Sequence, residues 1–244
     1  MSLTPLDILN GILGLSVVIV SLILGVIVLS KYFKNRNKNF ILLGINLIFL
    51  ACGWYGTSSS FIVAIINNSD GLALEMILLL NFIPLPIGLL CWCGFYTNIL
   101  MKKRQKLFLL IMTVVTVFFY SVFLFVVFTD VSQAAIKISP VDTTAGNNKF
   151  LSIYIIIFII VLLITGIHFS LRTMKYDDTE MKTKGKFLLF AFPAFAIGGL
   201  LDSTLPSNEI TLILFRLLLI SSIVGFYIGY LLPNWVKKRL IKIE

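Results

Sequence analysis

Charge and reactive chemistry are scarce in this sequence. Only 13% of its 244 residues are charged, histidine occurs once and cysteine three times. A soluble domain carries about 25% charged residues, so this chain lacks the polar coat that water requires. There is no GxSxG, HExxH, Walker A or CxxC motif. No acid–base or nucleophile pair stands out, so the expectation is a protein that is not an enzyme and that holds neither cofactor nor metal. The cysteines Cys52, Cys91 and Cys93 all fall inside apolar runs, and an odd number there argues against a disulfide framework. Cys91 and Cys93 point about 200° apart on a helix, so they do not share a metal and read as small packing residues. The single His168 has no acid beside it in sequence, and a snorkelling place at a membrane interface suits it.

Apolar side chains are what the chain has in excess. They make up 59% of it, against about 45–50% for soluble domains, so lipid must be their solvent. A transmembrane helix needs roughly 20 mostly apolar residues. Seven stretches meet that need, at about Ile8–Ser30, Phe40–Ile66, Leu72–Leu100, Leu107–Phe128, Phe150–Ser170, Phe187–Leu205 and Ile210–Leu232. The first has no Lys or Arg before it and is too long for a signal-peptide h-region, so it counts as a helix. The reading is an all-α, polytopic, seven-helix bundle forming one domain over residues 1–244, a multi-pass protein of the cell membrane.

A net charge of +9 does not mark a nucleic-acid binder, because the cations sit in short clusters between the apolar runs. Lys31, Lys34, Arg36 and Lys38 follow the first helix. Lys102, Lys103, Arg104 and Lys106 follow the third, and Arg172, Lys175, Lys182, Lys184 and Lys186 the fifth. Lys237, Lys238, Arg239 and Lys242 form the tail, which brings the clusters to seventeen of the 20 cations. Short basic loops stay cytoplasmic, so the N-terminus is expected outside and the C-terminus in the cytoplasm. The segment from Thr129 to Lys149 is then the one long outer connection. It is long enough to fold over the outer mouth of the bundle, or to serve as a solvated connector. The NNS at Asn67 fits a glycosylation sequon on the same side.

Ionisable groups within a bilayer are costly, which makes them the candidate functional residues. Arg216 lies about 30 Å above the basic tail, two turns into the seventh helix, and Asp202 reaches a comparable depth on the sixth. The two are expected to pair, since each alone would be an uncompensated charge in a low dielectric. Glu209 is seven residues from Arg216, on the same helical face, and Glu75 lies near the outer end of the third helix. Glu75, Asp202, Glu209 and Arg216 are therefore the candidate lining of an outer polar pocket. Their alternative is structural: a clamp for the first pair, a cap position after Pro206 and Ser207 for Glu209, and a headgroup contact for Glu75. The run GWYGTSSS, Gly53–Ser60, supplies small and hydroxylated residues that let helices approach closely and that also line cavities. Gly225 and Gly229 have GxxxG spacing. Pro84, Pro86 and Pro193 are expected to kink their helices.

Seven helices with the N-terminus outside invite comparison with rhodopsins and G-protein-coupled receptors, but the residues differ. No Lys lies in the seventh helix, the third ends FYTNILMKKR without an Asp-Arg-Tyr signature, and the seventh has LLPNW without Asn-Pro-x-x-Tyr. The stretch LEMILLLNFIPLPIGLLCWCGFYTNILMKK, Leu74–Lys103, instead resembles the third helix of the seven-helix N-terminal sensor region of microbial histidine kinases. In that helix an acid or aromatic leads in, a proline sits mid-way and an aromatic-rich end precedes a basic loop. IGYLLPNWVKKRL, Ile228–Leu240, resembles the exit that leads into a signalling domain in that family. The resemblance implies a sensor-like or receptor-like module. No output domain follows in this sequence, so a signalling partner in the cytoplasm or membrane would act in trans, beside the lipid bilayer itself and with no nucleic acid involved. A small-solute transporter would need a polar path through the membrane, for which only residues such as Asn81 and Asn98 offer themselves, and an inverted repeat is not visible. A membrane scaffold subunit is the third reading. Ligand and oligomeric state are not specified by the sequence.

Overall fold

A computed structural model describes residues 3–204 and 208–241. Seven helices within them are long and apolar enough to cross a membrane: α1 (Pro5–Asn35), α2 (Asn39–Asn67), α3 (Leu74–Leu100), α4 (Lys102–Thr129), α5 (Lys149–Met174), α6 (Thr179–Thr204) and α7 (Glu209–Leu231). The protein is an all-α polytopic bundle. A short α8 (Asn234–Leu240) follows, and a two-stranded hairpin, β1 (Ala135–Lys137) with β2 (Thr143–Ala145), interrupts the α4–α5 connection.

The helices start where local chemistry satisfies their free N–H groups. Thr4 and Asp7 form a reciprocal capping box on α1 with Pro5 in the first turn, and Asn208 caps α7 through the Thr211 N–H. The cap of α7 is thus Asn208; Pro206 and Ser207, together with the predicted end of the sixth helix at Leu205, lie outside the described residues. α6 begins two turns before the apolar run, because Thr179–Lys186 continues the helix beyond the oily stretch.

Two of the spans are broken. α3 stops at Ile83 and restarts at Pro84, which takes the first-turn position where a missing N–H costs no hydrogen bond, and Tyr120 Oη donates to the Ile83 carbonyl at 2.5 Å. The break in α2 was not expected. Its first half ends at Leu50, Cys52–Trp54 forms one 3₁₀ turn, and the second half starts at Tyr55. Pro193 lies inside α6, which is helical on both sides of it from Thr179 to Thr204.

Core packing is aromatic at mid-bundle. Trp92 lies 4.8 Å from Phe192, which lies 4.7 Å from Phe226, ring centroid to centroid, and all three are buried. α6 packs most extensively on α7, and Gly225 and Gly229 face it. A Cβ on Gly225 would lie 3.1 Å from that of Ala191, so the spacing serves close helix approach. Outward faces of the helices carry apolar residues such as Leu110, Val114, Phe125, Ile164 and Leu214. Lipid is the medium that satisfies such a surface.

The hairpin is no loose connector. Lys137 Nζ donates to the carbonyls of Asp70 and Leu72 at 2.6 and 2.7 Å, across the α2–α3 connection. Ser60 Oγ donates to the Pro140 carbonyl at 2.5 Å, and Val141 is wholly buried. Gly71 has φ +75, and a Cβ there would overlap Ser60 Oγ and stand 2.6 Å from the Pro140 carbonyl. The hairpin thereby closes one end of the bundle. The connections after α1, α3 and α5 and the tail, with their cations, occupy the other.

Candidate functional site

The break in α2 turns Trp54 inward beneath the hairpin, and a buried polar network forms around it. Arg216 of α7 donates from Nε to Asp202 Oδ1 of α6 at 3.0 Å, so the expected pair is present. Trp54 Nε1 donates to the other carboxylate oxygen at 2.8 Å. Arg216 Nη2 donates to Asn10 Oδ1 of α1 at 2.9 Å, and the guanidinium carbon stands 5.3 Å from the Trp54 ring centroid. Four helices, α1, α2, α6 and α7, thus meet at one guanidinium. Arg216 is seven residues into α7 and Asn10 five into α1, which puts the network about 10 Å below the hairpin ends of those helices.

The central ion pair is neutral, but the arrangement is not chemically complete. The charges of Arg216 and Asp202 cancel at contact, and Asp142 of the hairpin adds a second carboxylate within electrostatic reach of the guanidinium. Arg216 is only 4% exposed and Ser58 3%, yet Arg216 Nη1 and Ser58 Oγ have no hydrogen-bond partner among the described residues. Both face Gly14 of α1: a Cβ there would lie 3.3 Å from Nη1 and 3.4 Å from Oγ. The missing side chain makes room beside two polar atoms that most buried groups would not leave unsatisfied.

Glu209 and Glu75 are not in the network. Glu209 opens α7 and is exposed, about two turns nearer the helix end than Arg216, and helical spacing alone does not close that distance. Glu75 is half-buried in the first turn of α3. Among the described residues neither makes a hydrogen bond or an ion pair. Asn10, Gly14, Trp54 and Ser58 take their places. Trp54 and Ser58 belong to the GWYGTSSS run, whose small residues were the available signal; Asn10 is a neutral residue in an apolar helix and gave none.

The remaining polar groups of the bundle interior are consumed by packing. Asn81 Oδ1 accepts from the Gly56 N–H at 2.6 Å, Asn98 donates to Asn39 at 2.9 Å, and Trp92 Nε1 donates to Thr165 Oγ1 at 2.8 Å. His168, toward the cation-rich end of α5, shares a 2.9 Å hydrogen bond with Tyr96 Oη. Cys52, Cys91 and Cys93 are all free thiols. Among the described residues no group of His, Cys, Asp and Glu is placed to hold a metal.

No protein-family model matches this sequence, and none of the curated proteins is significantly similar to it.

Proposed function

We propose that this integral membrane protein is a receptor-like module that converts an event at its hairpin end into a change of helix packing. The observation that carries this reading is the Arg216 network: one guanidinium ties α1, α2, α6 and α7 together directly beneath a docked hairpin, with two polar atoms left unsatisfied. An event that lifts the hairpin removes the Asp142 charge and opens the network to water. Each of the four helices then loses a contact that fixed its neighbour.

In this reading the hairpin and N-terminus face outward and the cation-rich end faces the cytoplasm, where clustered Lys and Arg are retained. The resemblance of Leu74–Lys103 and Ile228–Leu240 to histidine-kinase sensor regions supports the same assignment, with the output held by a partner in trans. Transport is the weaker reading. Between the network and the cation-rich end, Trp92, Phe192 and Phe226 pack as a buried aromatic layer across the bundle.

The test uses spin labels at Lys34→Cys on α1 and Lys182→Cys on α6, in a background where the native cysteines are replaced by alanine. Both sites are exposed and lie at the far end from the network. R216Q, and separately the milder K137A that only loosens the hairpin, are expected to shift the inter-label distance distribution in reconstituted bilayers. An unchanged distribution in both variants overturns the reading.

A further inference from the structure

A groove of about 430 Å³ opens at the cation-rich end of the bundle, lined by Ile99 and Leu100 of α3 and by His168, Arg172, Lys175 and Tyr176 at the end of α5. Its chemistry is divided by height. Ile99 supplies an exposed apolar wall, and Ile164 and Leu171 continue an exposed apolar surface along α5. Arg172, Lys175 and Tyr176 stand at the rim, in the last turn of α5 and just past it. That division matches the boundary between acyl chains and headgroups, where tyrosine and snorkelling cations concentrate.

The cations there are oriented and uncompensated. Tyr96 Oη holds His168 Nδ1 at 2.9 Å, and Arg172 Nε donates to His168 Nε2 at 3.4 Å. The guanidinium is thereby anchored through Nε, and its terminal nitrogens remain open in the fork geometry that grips a phosphate. Among the described residues no carboxylate pairs with Arg172 or Lys175, and none lines the groove. Of the acids that follow, Asp177 is exposed and does not line the groove, Asp178 accepts from the Glu180 N–H at 3.1 Å, and Glu180 pairs with Lys237.

We propose that this groove is a binding site for an anionic phospholipid, with the phosphodiester held by Arg172 and Lys175 and an acyl chain laid along Ile164 and Leu171. Charge complementarity selects an anionic headgroup over a zwitterionic one, whose own cation would meet Arg172 and Lys175. The site is independent of the hairpin-end network and of any signalling role.

Native mass spectrometry of the detergent-solubilised protein tests this, with dioleoyl phosphatidylglycerol and dioleoyl phosphatidylcholine as competing probes. Each cation near a headgroup is worth about fivefold, so the protein retains phosphatidylglycerol preferentially by more than about tenfold. R172Q/K175Q removes that preference, whereas K102Q/K103Q, at the same end but outside the groove, keeps it. Millimolar inorganic phosphate does not displace the lipid. Equal retention of the two lipids overturns the proposal, as does a preference that survives R172Q/K175Q or is lost equally in K102Q/K103Q. Displacement by inorganic phosphate also overturns it, because the site would then be one for free phosphate.

Discussion

Arg216 holds Asp202 and Asn10 by hydrogen bonds and lies over Trp54, so its removal is felt on four helices. R216L leaves the Asp202 carboxylate buried with only Trp54 as donor, and removing one partner of a buried pair costs about 3–5 kcal/mol. The double variant D202L/R216L replaces both charges by apolar volume and is expected to recover much of that loss. Thermal unfolding in a mild detergent compares the two, and an R216L protein as stable as the parent removes the pair from the account. Ser58 makes the opposite prediction. Its hydroxyl is buried without a partner, so S58A is expected to be neutral or to stabilise by about 1 kcal/mol in the same assay. A clear loss in S58A would mean that the hydroxyl is satisfied by something bound beside Gly14. The sequence displays this site unevenly, for a physical reason. Asp202 and Arg216 stand out because charge is expensive in hydrocarbon. Asn10 and Trp54 carry none, so nothing in a list of residue types separates them from ordinary packing. Glu209 shares a helical face with Arg216, but at the first position of α7 it lies about two turns nearer the helix end and is exposed.

The hairpin between α4 and α5 is the element most open to test. Lys137 gives it two charge-assisted hydrogen bonds to backbone carbonyls, each worth about 1.5–3 kcal/mol. K137A is expected to speed amide hydrogen exchange over Ala135–Ala145 by more than about tenfold, with α7 much less affected; uniform exchange would place the docking energy elsewhere. Its N-terminal approach is held by Asp130, which accepts from Ser132 Oγ at 2.6 Å and Gln133 Nε2 at 3.0 Å. Those bonds, the serine hydroxyl first, hold its carboxyl below the ordinary value of 3.8. A depressed carboxyl stabilises the fold above its unfolded pKa, and that contribution disappears as pH falls through the lowered folded value. A carbon-13 titration of Asp130 is therefore expected to have its midpoint below 3.8, moving upward in S132A. Element by element, the spans were legible because each apolar run must cross one bilayer. The 3₁₀ turn at Cys52–Trp54 was not, since Gly53 and Gly56 read equally well as close-packing residues in a continuous helix.

At the scale of the whole molecule, the proposed sidedness makes one strong prediction. In a background where Cys52, Cys91 and Cys93 are replaced, Ser132→Cys in the outer connection reacts with an impermeant maleimide on intact cells, and Lys238→Cys reacts only after permeabilisation. Reversed labelling would turn the protein over and remove the outward-facing receptor reading. The ends of the bundle were readable from cation clustering alone, but the closing of one end by a hairpin depends on contacts between segments far apart in the chain. Arg216 lies 14 residues from Asp202 and 206 from Asn10. The bond to Asp202 therefore closes between adjacent spans, whereas the bond to Asn10 joins the seventh span to the first. A chain without α7 leaves Asp202, Trp54 and Asn10 without their common partner, so the first span depends on the seventh for the contact that satisfies Asn10.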